Sequence, residues 1–188
     1  MSHVREYLAE TVHVAKSISE DEINALADAL FELRDRSGRL WIAGLGGSAA
    51  NASHAANDFR KLCGIEAYAL TDNVAELTAR SNDDGWRYAM TLEWAIDQDA
   101  LLVLSVGGGS DGVSMPLIQL MDEAKKYGMT VMGIVGRDGG YLGDVGDVVV
   151  RVPTVEPRRV TPHAEGWQSV ILHCLVSHPD LQRSSTKW

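Results

Sequence analysis

The stretch GLGGSAANASHAANDFRK, from Gly44 to Lys61, passes from a cluster of glycines into an alanine-rich segment that favours a helix. It directly follows the apolar run Leu40–Ala43. An apolar run, glycines and then a helix is the order expected where a buried β-strand ends and the chain turns sharply into the next helix. The stretch therefore predicts the first strand–helix unit of an α/β fold.

On the carboxyl side of this stretch, short β-rich runs alternate with helical patterns. The predicted strands are 40–44, 66–70, 101–106, 130–135 and 147–152, and the predicted helices are 48–63, 73–80, 85–95, 112–127 and 162–177. Two amphipathic helices, 3–16 and 20–36, precede the first strand, and the capping box Ser19-x-x-Glu22 opens the second. Such alternation predicts a three-layer αβα sandwich with a five-stranded parallel sheet and an N-terminal helical hairpin.

Length and composition indicate one globular domain. The 188 residues are 45% apolar and 23% charged, enough for one core and too few for two ordinary domains. We expect residues 1–37 to form the hairpin, as oligomerisation helices, and residues 38–188 the αβα core.

Several classes of protein are disfavoured. The longest mainly apolar run, Ala100–Val106, which is interrupted by Ser105, is far shorter than the roughly 20 residues of a membrane span. The N-terminus lacks the apolar core of a signal peptide, and the two cysteines have no CxxC spacing. A net charge of −9 without any Lys/Arg run longer than two argues against direct nucleic-acid binding. We therefore expect a cytoplasmic protein that acts without membrane or nucleic acid.

Two matching loops, IAGLGGSAAN and LSVGGGSDGV, follow the first and third predicted strands. Glycines let backbone N–H groups approach an anion, and a helix N-terminus attracts negative charge. The alternative is that these residues only form tight turns and helix caps, but two matching loops at strand ends favour a phosphate site. The predicted cradle consists of Gly46, Gly47, Ser48, Ser105, Gly107, Gly108 and Ser110.

The ligand of this cradle is predicted to be a small phosphorylated metabolite. No GxxxxGK[ST] motif occurs, and GLGGSAAN lacks the spaced third glycine of a dinucleotide site. We therefore expect no nucleotide cofactor.

Two helices carry residues suited to acid–base or metal chemistry. His54 and Asp58 are four residues apart and share a helix face with Asn51, although a solvated ion pair would have the same spacing. The last helix carries His163, Glu165, Gln168 and His173. His173 lies among apolar residues, where a hydrogen-bonded core histidine is a common alternative.

Several motifs in this order resemble the SIS (sugar isomerase) domain family, and within it the sedoheptulose 7-phosphate isomerases, also called phosphoheptose isomerases. These motifs are GLGGSAANASHAANDF, TDNVAELTARSNDDGW, LSVGGGS and the histidine-bearing last helix. The resemblance implies a flavodoxin-like fold, a homotetramer formed through the N-terminal helices, and active sites at subunit interfaces. It also implies isomerisation of a seven-carbon sugar phosphate through an enediol, in heptose synthesis for the cell envelope or secondary metabolism.

The resemblance also implies roles for individual residues. Asp58 becomes the base that moves a proton between C1 and C2, and His173 the acid. Asn51, Asp83 and Glu165 become substrate contacts beside the serine loops. One Zn²⁺ per subunit would be held by His54, Asp58, Glu165 and His173.

The chain departs from the family pattern at four positions. Asp58 replaces a glutamate, Glu165 a glutamine and Gly107 a phosphate-loop serine. Leu45 takes the place of the asparagine in the family's usual GNGGS. Glu165 and His173 are eight residues apart, about 12 Å along a straight helix, so they cannot both reach one metal unless the helix is irregular or a neighbouring subunit contributes. Gln168 is the alternative ligand. Two other functions stay open: a non-catalytic sugar-phosphate sensor or protein adaptor, and an isomerase of a different sugar phosphate.

Overall fold

The structure is a computed structural model, and it describes residues 2–185. The helices are α1 (His3–Ser17), α2 (Glu20–Asp35), α3 (Gly47–Asp58), α4 (Val74–Asp83), α5 (Met115–Lys126), α6 (Gly140–Val145) and α7 (Val160–Val176). The strands are β1 (Leu40–Gly44), β2 (Ala67–Ala69), β3 (Ala100–Ser105), β4 (Thr130–Val135) and β5 (Val148–Arg151). A π-helical turn, Phe59–Cys63, extends α3.

The five strands form one parallel sheet in the order β2-β1-β3-β4-β5. Helices α1, α2, α3 and α7 pack on one face, and α5 and α6 on the other, which gives the predicted three-layer sandwich. All six residues of β3 are buried, as expected for a central strand covered on both faces. The strand order reverses between β1 and β3, and this is the point where open α/β sheets bind ligands.

Several predicted boundaries are corrected by the structure. Residues 85–95 are not a helix: a 3₁₀ turn, Trp86–Tyr88, leads into irregular backbone whose Met90 and Leu92 side chains are buried in the second core cluster. Helix α5 starts at Met115 rather than at residue 112, because Gly112 and Ser114 both adopt positive φ angles that a helix excludes. Helix α6 was not predicted.

The last helix also starts earlier than predicted. Helix α7 begins at Val160 rather than at residue 162, so Thr161 and Pro162 lie in its first turn. A proline is tolerated there because the first-turn N–H groups have no intrahelical partner.

The turn from β1 into α3 depends on two glycines for different reasons. A Cβ at Gly44 would lie 2.5 Å from the carbonyl carbon of Ser48, so only glycine lets the helix fold back directly onto the strand. Gly46 has space around it but adopts φ 61° and ψ −128°, a conformation that L side chains rarely adopt. These glycines place Ser48 in the first turn of α3, at the carboxyl edge of the sheet.

The loop after β3 packs backbone to backbone against the turn after β4. Gly108 has φ 72°, and a Cβ there would lie 1.7 Å from the carbonyl oxygen of Gly139. The N–H groups of Tyr141 and Leu142, in the first turn of α6, donate to the carbonyls of Gly109 and Gly108 at 2.9 and 3.0 Å. Helix α6 therefore fixes the β3 loop in place.

An ion-pair cluster joins the N-terminal helix to the start of α7. The Glu10 carboxylate accepts hydrogen bonds from both the guanidinium of Arg159 and Nε2 of His163, the latter at 2.8 Å, and the ring of Tyr7 stacks on His163 at 4.5 Å. These contacts attach α1 to the core.

Within the described residues, no helix has the length and apolar character to cross a membrane.

Substituting Glu10→Gln tests this attachment through pH. The hydrogen bonds from Arg159, and then from His163, lower the pKa of Glu10 from 4.5 to about 2. A lowered pKa stabilises the fold above about pH 4.5, and this contribution falls as the pH decreases towards 2. We expect Glu10→Gln to reduce the free energy of unfolding at pH 7 and to approach the wild type as the pH falls below 4.5, in urea titrations at several pH values.

The control is Glu32→Gln, which removes an exposed carboxylate of α2. An equal loss for both variants, or a constant difference between wild type and Glu10→Gln across the pH range, would contradict the role of Glu10.

Substituting Gly108→Ala tests the contact between the two loops. The new methyl group would clash with the Gly139 carbonyl oxygen, and the alanine would have to adopt a positive φ. We therefore expect a loss of about 2 to 4 kcal/mol in the free energy of unfolding. Gly112→Ala is the matched control, because Gly112 has a similar φ of 75° with open space around it. It should lose only about 1 to 2 kcal/mol, the cost of the backbone conformation alone. Equal losses by urea denaturation would show that the loop contact does not constrain residue 108.

Candidate active site

A cleft of about 870 Å³ opens at the carboxyl edge of β1, β3 and β4, and its size suits a small metabolite. Of the predicted cradle residues, Ser48, Ser105, Gly107 and Ser110 line this one cleft, and Leu45 lies beside them. Ser48 and Ser105 are almost fully buried, whereas Ser110 is exposed. The two loops that the sequence singles out therefore face the same space.

The second loop differs from the first in how it reaches its helix. Ser110 and Val113 exchange backbone hydrogen bonds at 3.2 and 2.9 Å, so a tight turn separates the serine from α5. The expected direct passage from glycines into a helix holds only for the loop that begins α3.

Gly108 lies within the loop packing and does not line the cleft. Its N–H donates to Oγ of Ser105 at 3.0 Å, and its carbonyl accepts from α6. Because the Ser105 oxygen accepts this bond, its own O–H stays available as a donor to a ligand. Gly108 thus orients Ser105, whereas the prediction made it a direct contact.

His54, Asp58 and His173 come together where α3 packs against α7. The Asp58 Oδ2 lies 3.2 Å from Nε2 of His54 and 3.9 Å from Nε2 of His173, and the two rings meet edge to face at 5.1 Å. One ligand atom from each residue lies within 4.8 Å of the other two. Two imidazoles and a carboxylate at this separation are a donor set that suits Zn²⁺.

The cluster is only partly shielded from water. The His54 and His173 side chains are 54% and 52% exposed, and Asp58 is 15% exposed. The three residues line a small cavity of their own, apart from the larger cleft. His173 is therefore not the buried core histidine that its apolar neighbours allowed.

Glu165 lies apart from this cluster. Its carboxylate lies against Gly47, where an added Cβ would be 2.6 Å from the carboxyl carbon. Eight residues separate Glu165 from His173, so on a straight helix the two side chains are too far apart to share a metal. Within the described residues, the cluster with metal-ligand spacing accordingly contains His54, Asp58 and His173 but not Glu165. Glu165 instead borders the first turn of α3, beside the predicted phosphate loop.

Asn51 joins α3 to α7. Its Nδ2 donates to the Glu165 carbonyl at 2.9 Å and to Oε1 of Gln168 at 3.1 Å. Gln168 is fully buried and its Nε2 has no hydrogen-bond partner among the described residues. These contacts hold the two helices that carry the His54, Asp58 and His173 cluster in register.

Asp83 lies at the end of α4 as an exposed residue and accepts a hydrogen bond from Asn82 at 2.9 Å. It does not line the cleft. Its predicted contact with substrate stays a prediction.

Two cleft residues, Arg137 and Asp138, were not found by sequence reasoning. They follow β4 in the segment IVGRDGGY, which repeats the order of strand, polar residues, glycines and helix. The short length of α6 concealed this third loop, although its glycine pair after an apolar run was a usable signal.

Comparisons with known proteins identify the family of the chain. A family model for the SIS domain matches residues 5–136. The lincomycin biosynthesis protein LmbN of Streptomyces lincolnensis is 34% identical over 190 residues, covering 95% of this chain and 69% of LmbN. A phosphoheptose isomerase of Roseiflexus sp. (strain RS-1) is 35% identical over 145 residues, covering 73% of this chain and 72% of that protein.

Among solved structures, phosphoheptose isomerase GmhA from Neisseria gonorrhoeae superposes with a TM-score of 0.78 at 26% identity, covering 92% of this chain and 94% of that chain. The family match spans well over half of the chain, and the resemblance seen in the serine loops and the last helix extends through the fold. This chain belongs to the SIS domain family.

Proposed function

We propose that this protein is an aldose–ketose isomerase that converts sedoheptulose 7-phosphate to D-glycero-D-manno-heptose 7-phosphate through an enediol. The main observation in support is that one helix, α3, begins at the serine-lined cleft and ends at the cluster of His54, Asp58 and His173. The relatives named phosphoheptose isomerase support the same reaction.

The cleft supplies the phosphate end of the substrate site. Ser48, Ser105 and Ser110 offer hydroxyl donors, and the N–H groups of Gly47 and Ser48, the first two residues of α3, have no backbone partner within the described residues. The serine hydroxyls, the N–H groups at the start of α3 and the helix dipole all favour a bound anion, as a phosphate group requires.

The other end of α3 supplies acid–base chemistry. Asp58 lies ten residues after Ser48, about 15 Å along the helix axis, and helical side chains lean towards the N-terminus, which brings the Asp58 carboxylate closer to the cleft. The Asp58 carboxylate moves the proton between C1 and C2, and His173 exchanges a proton with the carbonyl and hydroxyl oxygens. A sensor or adaptor has no need of this paired arrangement.

A divalent metal fits the same cluster. His54, Asp58 and His173 would hold one Zn²⁺ per subunit, and the metal, when bound, would polarise the C1 and C2 oxygens in place of the proton of His173. Glu165 borders the phosphate end in this chain, so we assign it to substrate contact rather than to the metal.

A homotetramer would cover the exposed parts of the site. Val4, Leu8 and Val12 form a stripe at four-residue spacing on α1, and each is more than half exposed. Val170, one turn before His173 on α7, is 49% exposed. A second copy packed on these surfaces would shield the half-exposed imidazoles from water. We assign the reaction to the cytoplasm, in heptose synthesis for the cell envelope or secondary metabolism.

Deuterium exchange tests the reaction directly. The purified protein is incubated in D2O with a panel of five- to seven-carbon ketose and aldose phosphates, and solvent deuterium at C2 is followed by NMR. We expect exchange and interconversion with sedoheptulose 7-phosphate, and loss of both in Asp58→Asn because the amide cannot accept the proton. A parallel incubation with a chelator measures the dependence on a metal.

The matched control for this experiment is Asp97→Asn, an exposed carboxylate at the opposite edge of the sheet that should keep full activity. Exchange with no sugar phosphate would favour the sensor or adaptor, and activity retained in Asp58→Asn would remove Asp58 from the role of base.

Substituting Leu8→Glu tests the tetramer. A charge in the centre of the apolar stripe of α1 should prevent association, so light scattering should show a smaller species than the wild-type tetramer. Val74→Glu is the control, since Val74 is 64% exposed on α4, outside the stripe. A monomeric wild type, or a Leu8→Glu variant that remains tetrameric, would contradict the proposed assembly.

A further inference from the structure

Arg137 is the one cation among the described residues that line the cleft. It occupies the turn after β4, next to the loop that carries Ser105 and Ser110. Within residues 2–185 its side chain takes part in neither a hydrogen bond nor an ion pair. Within the described residues the neighbouring Asp138 forms no ion pair with it, and the Asp138 carboxylate accepts a hydrogen bond from the N–H of Gly140. The guanidinium is free to bind an anion in the cleft.

The backbone holds Arg137 in an unfavourable conformation at this position. Its φ is 53°, a region that glycine or asparagine occupies at lower cost than arginine. The turn is fixed on both sides, since Gly136 N–H donates to the Val106 carbonyl and Gly139 N–H to the Gly136 carbonyl, each at 3.2 Å. An arginine in a strained, fixed turn at the edge of a ligand cleft is a candidate for a binding role.

Gly107 leaves a space in the β3 loop that faces this arginine. A Cβ built on Gly107 would have Arg137 Cδ, at 3.8 Å, as its one neighbour within 4 Å. The loop therefore offers no side-chain donor at residue 107, and the arginine side chain occupies the adjoining part of the cleft. A guanidinium donates two parallel hydrogen bonds to phosphate oxygens, which one hydroxyl cannot do.

We propose that Arg137 binds the phosphate group of the substrate from the β4 side of the cleft and supplies the donor that Gly107 lacks. This inference rests on the proposed function for the identity of the substrate, a phosphate monoester. Arg137 thereby becomes a specificity residue for a doubly charged phosphate, and the serines supply the remaining hydrogen bonds.

Binding of inorganic phosphate, measured by calorimetry on the full chain, tests the proposal without any sugar. Arg137→Gln should weaken phosphate binding about tenfold, and Arg137→Lys by about threefold, because lysine keeps the charge but loses the forked geometry. Adding Gly107→Ser to Arg137→Gln should recover about threefold, since the new hydroxyl enters the space beside residue 137. Lys126→Gln is the control: Lys126 is exposed at the far end of α5 and should bind phosphate as the wild type does.

Kinetics with sedoheptulose 7-phosphate separate this role from a structural one. The phosphate lies away from C1 and C2, so Arg137→Gln should raise KM about tenfold and leave kcat within about twofold. A fall in kcat at unchanged KM, or phosphate binding by Arg137→Gln within about twofold of wild type, would overturn the proposal. Failure of the wild type to bind phosphate would overturn it too, even in an active isomerase. Loss of phosphate binding in Arg137→Gln without isomerase activity towards any sugar would refute the proposed function alone.

Discussion

The arrangement of the site depends on the contact between two glycine loops, Gly108–Gly109 after β3 and Gly139–Gly140 after β4. There is no room for a side chain between the Gly108 backbone and the Gly139 carbonyl. Hydrogen bonds from the first turn of α6 then satisfy the carbonyls of the β3 loop, which would otherwise compete with a ligand for donors. This contact gives an otherwise flexible glycine loop one conformation, and it brings Ser105, Ser110 and Arg137 to the same cleft.

Helix α3 then relates the two halves of the site by a fixed distance. Its first turn borders the cleft, and its last turn carries Asp58 between two imidazoles. Asn51, within α3, donates hydrogen bonds to two groups of α7. These bonds fix the position of His173, on α7, relative to α3. Because a helix is stiff along its axis, the number of helical residues between Ser48 and Asp58 sets the distance between the phosphate and the reacting carbons. An isomerase needs this property, since a proton transfer between neighbouring carbons tolerates little misplacement.

Most of the fold and much of the site could be predicted from local patterns. The five strands, the cradle serines and the His54–Asp58 pair were found because each depends on residues close in sequence. The predicted helix at 85–95 was wrong, since burial of Met90 and Leu92 prevailed over local helical preference. Arg137 and the role of Gly108 were missed because they depend on contact between separate loops. The position of Glu165 followed from helix geometry: eight residues separate it from His173, and the structure places it at Gly47.

The Glu165 carboxylate changes how the cleft must hold an anion. It lies against Gly47, in the first turn of α3, where the partial positive charge of the helix would otherwise attract a phosphate. A neutral glutamine at this position would leave that charge to the ligand, whereas a carboxylate offsets part of it and repels a phosphate dianion. The attraction lost at α3 has to be supplied elsewhere in the cleft, and Arg137 is the cation placed to supply it. Under the proposed function, the acidic residue on α7 and the arginine after β4 would act as a pair, and together they would move the centre of phosphate recognition from the α3 terminus towards the β3 and β4 loops.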